Sequence, residues 1–243
     1  MSVPTHTALR RVQATRYATA LREGGSLPGL VEADDDGLYV VKFTGAGQGR
    51  RALVAEVVVG ELARALDLLV PELVVAELDP ELARAEPDSE IRDLVRASPG
   101  ANLGVDFLPS ALTFVPAGGF TPDRALAADV VWLDALTNNV DRTPQNPNLL
   151  IWHGRMWLID HGAALFLQRE GMDPASHVLL PFAGSIAEAD ERLAPRVDRA
   201  LLERIIGLVP AEWKPDGQIE YLERRLAAPR TFVQAAERAR AAA

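Results

Sequence analysis

The sequence predicts an α+β fold of two lobes: a small antiparallel sheet carrying one long helix, then a mainly helical lobe. Three observations lead there. The first third alternates β-branched or aromatic runs with Gly- and Asp-rich turns. One long helix-forming stretch, 50–69, interrupts those runs. Beyond the break Pro116-Ala117-Gly118-Gly119 the chain reads as helices around a single hairpin. The lobe boundary is placed at that break, giving residues 1–115 and 116–243.

Taken in order, residues 17–22 and 30–33 predict strands on either side of a turn-rich loop that contains Gly24, Gly25 and Ser26. Asp34-Asp35-Asp36-Gly37 is a turn, read as solvated rather than as a metal site. Leu38-Tyr39-Val40-Val41-Lys42-Phe43 is a strand, followed by a second glycine-rich loop and the long helix. Residues 73–78 predict a strand, 80–100 short helical pieces, and 105–114 one or two strands. Thr121-Pro122-Asp123 combines a capping hydroxyl, a first-turn proline and an acid at the positive end of the dipole, so a helix should run to about residue 136. Residues 138–147 form a polar loop, and 149–152 and 156–159 a hairpin around His153-Gly154-Arg155. Helices are expected near 185–193, 198–207, 216–227 and 230–241.

Composition narrows the class of function. With 243 residues, 48% of them hydrophobic and 24% charged, the chain can bury a large core without cross-links. It has no cysteine, which excludes disulfides and thiolate metal sites and fits a reducing, cytoplasmic setting. Its start lacks the apolar core of a signal peptide, and no apolar run approaches the ~20 residues of a membrane helix, so no membrane insertion is expected. A formal net charge of −9 argues against nucleic acid as a partner. Of 25 basic residues, all but Lys42 and Lys214 are arginine, the bias of a GC-rich genome. A lysine retained against that bias marks a place that needs a compact ammonium rather than a planar fork.

The densest polar stretch runs from Asp134 through Asn138, Asn139, Asp141, Arg142 and Asn146 to Asn148. Asn and Asp are ordinary loop formers, so a plain loop is one reading. The hairpin supports another. Folded about Gly154, it sets Asn148 across from Asp160, with Asn146 and Asp141 just upstream, so two carboxylates and two amides converge. Hard oxygen donors of this kind suit Mg²⁺. Asp160 follows Trp157-Leu158-Ile159, and a carboxylate buried there needs a metal or a donor. Lys42, inside a strand, is either an outward surface residue or an inward, paired one. Glu56, among Val54, Ala55, Val57 and Val58, is either an exposed stripe or a buried acid that wants a cation, with Lys42 the nearest. His153 reads as a hairpin tip, His161 as a support for Asp160, and Trp132, Trp152 and Trp157 as core. The arginines of the last helices alternate with glutamates and read as a solvated face.

In that order along the chain, Lys42, Glu56, Asp141, Asn146 and Asp160 resemble the pattern of protein kinases, and more closely that of HipA-like kinases. The resemblance spans about residues 17–165 and implies a protein-kinase-like fold. It implies that Lys42 holds the α- and β-phosphates of ATP and is paired by Glu56. Asp141 is then the catalytic aspartate that orients and deprotonates an acceptor hydroxyl. Asn146, five residues on, and Asp160, opening Asp160-His161-Gly162 in the place of a DFG motif, are the implied Mg²⁺ ligands. Gly24, Gly25 and Ser26 fall where a phosphate lid would lie. The Asp141-Arg142 pair is also similar to phosphoinositide kinases. Arg142 is read either as a γ-phosphate contact or as a structural salt bridge, and Asn148 as a metal or water ligand or as a turn residue.

The chain departs from the kinase pattern in four ways. Val140 precedes the catalytic aspartate, His161 replaces the DFG phenylalanine, no Ala-Pro-Glu signature follows, and the chain is short. The resemblance therefore implies an ATP- and Mg²⁺-dependent kinase, with serine or threonine of a protein as acceptor. The alternatives are a small-molecule or phosphoinositide kinase, or a nucleotide-binding pseudokinase or scaffold.

Overall fold

The alternating first third of the chain closes into a five-stranded barrel. The computed structural model describes residues 7–21, 27–47, 49–166 and 171–242. Strands β1 (Arg10–Ala20), β2 (Gly29–Ala33), β3 (Leu38–Lys42), β4 (Leu73–Leu78) and β5 (Gly100–Asp106) pair in the order β1-β2-β3-β5-β4. The sequence predicts an antiparallel sheet. In the structure β1 also runs parallel to β4, with Arg10 opposite Val74, and this pairing closes the barrel. β1 begins seven residues earlier than the predicted 17–22 because Val12 and Ala14 alternate inward between exposed arginine, glutamine and threonine. Its outward arginines make cross-strand pairs, Arg10 with Asp35 and Glu72 and Arg16 with Glu32. Such exposed pairs contribute little to stability, because water and salt screen them. The barrel interior is filled by Val12, Val31, Tyr39, Val41, Phe43, Val74 and Ala76, backed by Ile91 and Val95 of α2 (Ser89–Arg96).

Helix α1 (Gly49–Ala65) is 17 residues long and ends four residues before the predicted 69. Asp67 takes the left-handed conformation at φ 65°, its N–H bonds the carbonyl of Arg64, and the N–H of Leu68 reaches that of Ala63 at 3.0 Å. This reversal satisfies the last carbonyls and stops the helix. Arg196 adds bonds to the carbonyl of Ala65 and the carboxylate of Asp67.

Helix α3 (Arg124–Thr137) starts three residues after the predicted Thr121 because Asp123, not Thr121, is its cap. The Asp123 carboxylate accepts from the N–H groups of Ala125 and Leu126 at 2.8 and 3.1 Å. Strands β6 (Leu112–Thr113), β7 (Leu149–Trp152) and β8 (Arg155–Leu158) form a second sheet. Helices α4 (Ile186–Leu193), α5 (Arg199–Leu208), α6 (Gln218–Leu226) and α7 (Thr231–Ala242) agree with expectation to within two residues. One large core joins Val57, Val58 and Leu62 of α1 to Val131, Trp132 and Leu136 of α3 and to Leu149 and Leu158 of the hairpin. α1 therefore lies between barrel and helices, and its position sets how the residues of one face those of the other.

The β7–β8 hairpin turns on two residues, His153 and Gly154, with φ of 48° and 70°. This is the turn whose twist matches paired strands. The predicted turn included Arg155, but Arg155 pairs with Trp152. Gly154 has open space around it, so only its backbone conformation demands glycine. Gly154→Ala should lower the unfolding free energy by about 1–2 kcal/mol in urea titrations, because a Cβ is strained in the left-handed region.

Candidate active site

The hairpin register decides the site's layout. Leu149 pairs with Leu158, and the N–H of Ile159 donates to the carbonyl of Asn148 at 3.1 Å. Asn148 thus lies opposite Ile159, not opposite Asp160 as predicted. The two-residue turn shifts the register, and Asp160, one residue past the pairing, swings away with φ 55°.

That swing points Asp160 at β3. Lys42 Nζ donates to Asp160 Oδ1 at 2.8 Å and also to Glu56 Oε1. Lys42 is the inward, paired residue of the two readings. Glu56 is the buried acid, only 2% exposed on α1. Its second oxygen, Oε2, accepts the backbone N–H of His161 at 2.8 Å. One carboxylate therefore ties the β3 lysine to the turn after β8. Burial works against the charge of Lys42, but Glu56 and Asp160 outweigh it and hold the ammonium above its ordinary value. Burial likewise opposes ionisation of Asp160, yet Lys42 holds it down to about 2. For Glu56, burial and the neighbouring charge of Asp160 win over Lys42 and raise the carboxyl.

Asp141 sits at the start of a short loop held by its amides. Its backbone N–H bonds Asn139 Oδ1 at 3.2 Å. Asn146 Nδ2 donates to Asp141 Oδ2 at 3.0 Å, and Asn148 Nδ2 to the Asp141 carbonyl at 2.9 Å. Asn148 thus orients Asp141, the part played by a turn residue. Lys42, Glu56, Asp141, Asp160, Gly47 and Gly162 line one cavity of about 170 Å³. The structure joins Lys42, Glu56, Asp141 and Asp160 there, with Asn146 attached through Asp141. Gly24, Gly25 and Ser26 lie outside the described residues; of the described glycines that line the cavity, Gly47 belongs to the β3–α1 loop, Gly49 opens α1 and Gly162 follows β8.

Arg142 takes the structural role. It is 1% exposed and donates to Asp134 Oδ2, to the carbonyl of Asn148 and, at 3.3 Å, to His161 Nδ1. Because that ring nitrogen accepts, the His161 proton sits on Nε2, which is buried and finds no partner among the described residues. Burial, then Arg142, pushes His161 down to about 3, so the ring is neutral. Asp134, fully buried on α3, also accepts from Asn139 Nδ2 at 3.0 Å and faces His177 Nε2 at 2.9 Å. His177 Nδ1 accepts from the N–H of Leu179, so its proton lies on Nε2, toward Asp134. Burial opposes ionisation of Asp134, but Arg142 and His177 hold it well below the usual carboxylate range.

Sequence reasoning gave Asp134 and His177 no role. The available signal was an acid inside the apolar run Val130-Val131-Trp132-Leu133-Asp134-Ala135-Leu136, eight residues before an arginine. His177 carries no local signal.

The sequence profile of a family described as HipA-like kinase matches residues 16–237. The chain belongs to the HipA-like kinase family. No curated protein matches it at significant similarity. Among solved structures, this HipA-like kinase is similar in fold to the Helicobacter pylori proinflammatory kinase CtkA. That match has a TM-score of 0.55 at 14% identity over 93% of this chain and 97% of the other. It is also similar to the Golgi casein kinase with Mn/ADP bound, with a TM-score of 0.52 at 13% identity over 96% of this chain and 74% of the other. The fold of this HipA-like chain, a sheet at the N-terminal side and helices at the C-terminal side, is that of kinases. Among the described residues no helix is long and apolar enough to cross a membrane.

Proposed function

We propose that this HipA-like kinase is a two-lobed enzyme that transfers the γ-phosphoryl group of ATP to a serine or threonine hydroxyl and depends on Mg²⁺. The observation that carries this reading is Lys42, held between Glu56 and Asp160 in a cavity that also contains Asp141.

The donor set fits a magnesium ion. Mg²⁺ takes one or two protein carboxylates together with phosphate oxygens, so a cluster of three acids is not required. Asp160 supplies a carboxylate. Asn146, with its amide N–H spent on Asp141, retains a carbonyl oxygen. Bound there with nucleotide, the metal supplies charge compensation for the transferring phosphoryl group. The chain's own residues do the rest. Lys42 exchanges its contact with Asp160 for phosphate oxygens while Glu56 retains it. Asp141, fixed by Asn139, Asn146 and Asn148, orients the acceptor hydroxyl and takes its proton at a carboxylate oxygen.

The test is transfer of labelled γ-phosphate with Mg²⁺, comparing wild type with Asp141→Ala and Asp160→Ala. Transfer lost in both variants, with folding intact by circular dichroism, is the expected result. Nucleotide binding without transfer would favour a pseudokinase, and absence of nucleotide binding would overturn the reading. Chelation of Mg²⁺ should abolish transfer and restored Mg²⁺ should recover it.

A further inference from the structure

Lys214 is the other lysine in an arginine-rich chain, and the site above does not use it. It lines a second cavity of about 350 Å³ together with Arg51, Val54, Leu165, Trp213 and Gln218. Asp216 completes the wall. The cavity lies on the other side of α1 from the first. At about 3.6 residues per turn, Ala52, Leu53 and Glu56 project toward the kinase site, and Arg51 and Val54 toward the opposite side.

The lining combines an apolar body with unspent positive charge. Val54 and Trp213 are buried and form apolar wall together with Leu165. The Trp213 indole N–H is already used by the carbonyl of Ala101, so the ring offers only its surface. Arg51 rests on the Phe166 ring at 4.5 Å, a contact that leaves its N–H donors available. Neither Arg51 nor Lys214 forms an ion pair with another described residue, whereas Arg10, Arg142, Arg192 and Arg230 do. Lys214 is held in the left-handed conformation at φ 54°, which a lysine adopts at a cost. Among the described lining residues, two cations against the carboxylate of Asp216 leave one net positive charge facing an apolar wall. The volume falls in the range of small-ligand pockets.

We propose that this second cavity binds an amphipathic monoanion, an apolar body bearing one carboxylate. The carboxylate lies between the Arg51 fork and the Lys214 ammonium, and the body packs on Trp213, Val54 and Leu165. Arg51 supplies planar, paired donors and Lys214 a point charge, which together satisfy both oxygens of one carboxylate. The proposal does not depend on phosphoryl transfer by the first site.

The experiment is calorimetric titration of the full chain with 2-naphthoate, in the presence of saturating ATP and Mg²⁺. Saturable binding is expected, with Lys214→Gln and Arg51→Gln each weakening it by about tenfold or more, the size of a lost hydrogen bond to a charged group. Both side chains are exposed, so these variants should fold. Asp216→Asn should tighten binding, and the neutral 2-naphthamide should bind weakly and equally to wild type and Lys214→Gln. The proposal is overturned by absence of saturation up to millimolar probe. It is equally overturned if affinity is unchanged in both cation variants, or if binding appears only without nucleotide, which would place the probe in the first cavity.

Discussion

Asp141→Asn is expected to slow phosphoryl transfer by about 10²–10⁴-fold, the usual contribution of a positioned general base. The substitution keeps shape and the hydrogen bonds that reach the backbone of residue 141, because Asn139 accepts its N–H and Asn148 Nδ2 donates to its carbonyl at 2.9 Å, closer than the 3.5 Å to its carboxylate. Nucleotide affinity, measured with a fluorescent ATP analogue, should change little, since the phosphates are assigned to Lys42. A loss in turnover with binding preserved is the signature of a group that acts on the acceptor. A variant that transfers phosphate at the wild-type rate would remove Asp141 from the chemistry.

The second large effect is on stability. Asp134→Ala should cost about 3–5 kcal/mol of unfolding free energy, because it strands the Arg142 guanidinium without its partner in a dry interior. Both side chains of this pair are 0% exposed. The loss should spread to the site, since Arg142 also bonds the carbonyl of Asn148, which orients Asp141. Urea titration at pH 7 measures the first effect and transfer rate the second. A pH series adds a sign. The Asp134 carboxyl is held below its unfolded value, so its contribution is present above about pH 4 and is lost as pH falls further. Asp134→Asn removes that proton-linked part, so its stability should fall less steeply than wild type in acid. An equal acid slope in both proteins would show that Asp134 is not the ionised partner of Arg142.

This network also marks where sequence reading ended. Lys42 and Glu56 were legible because each breaks a local pattern: a lone lysine in a strand where arginine is the default cation, and an acid among valines. Asp141, Asn146 and Asp160 were legible through their order and spacing. Arg142 left two readings open, since a cation beside a catalytic loop looks the same in sequence whether it faces a phosphate or a buried carboxylate. His177 lies 43 residues from Asp134, and nothing local ties them. The hairpin is legible in the sequence, but its turn is one residue shorter than the sequence suggests. That one residue moved the partner of Asn148 from Asp160 to Ile159.

By itself, the sequence determined the element types, most of their ends, the order of the polar residues and the family pattern they form. These are local properties: apolar periodicity, capping acids, turn residues and spacing along the chain. Only the tertiary structure decided that β1 closes the barrel against β4, that α1 is buried between barrel and helices, and that Asp160 leaves the hairpin to meet Lys42 at 2.8 Å. Those outcomes depend on contacts between residues far apart in the chain. The Lys42–Asp160 contact joins residues 118 positions apart, and its geometry is set by packing and burial that no window of sequence contains.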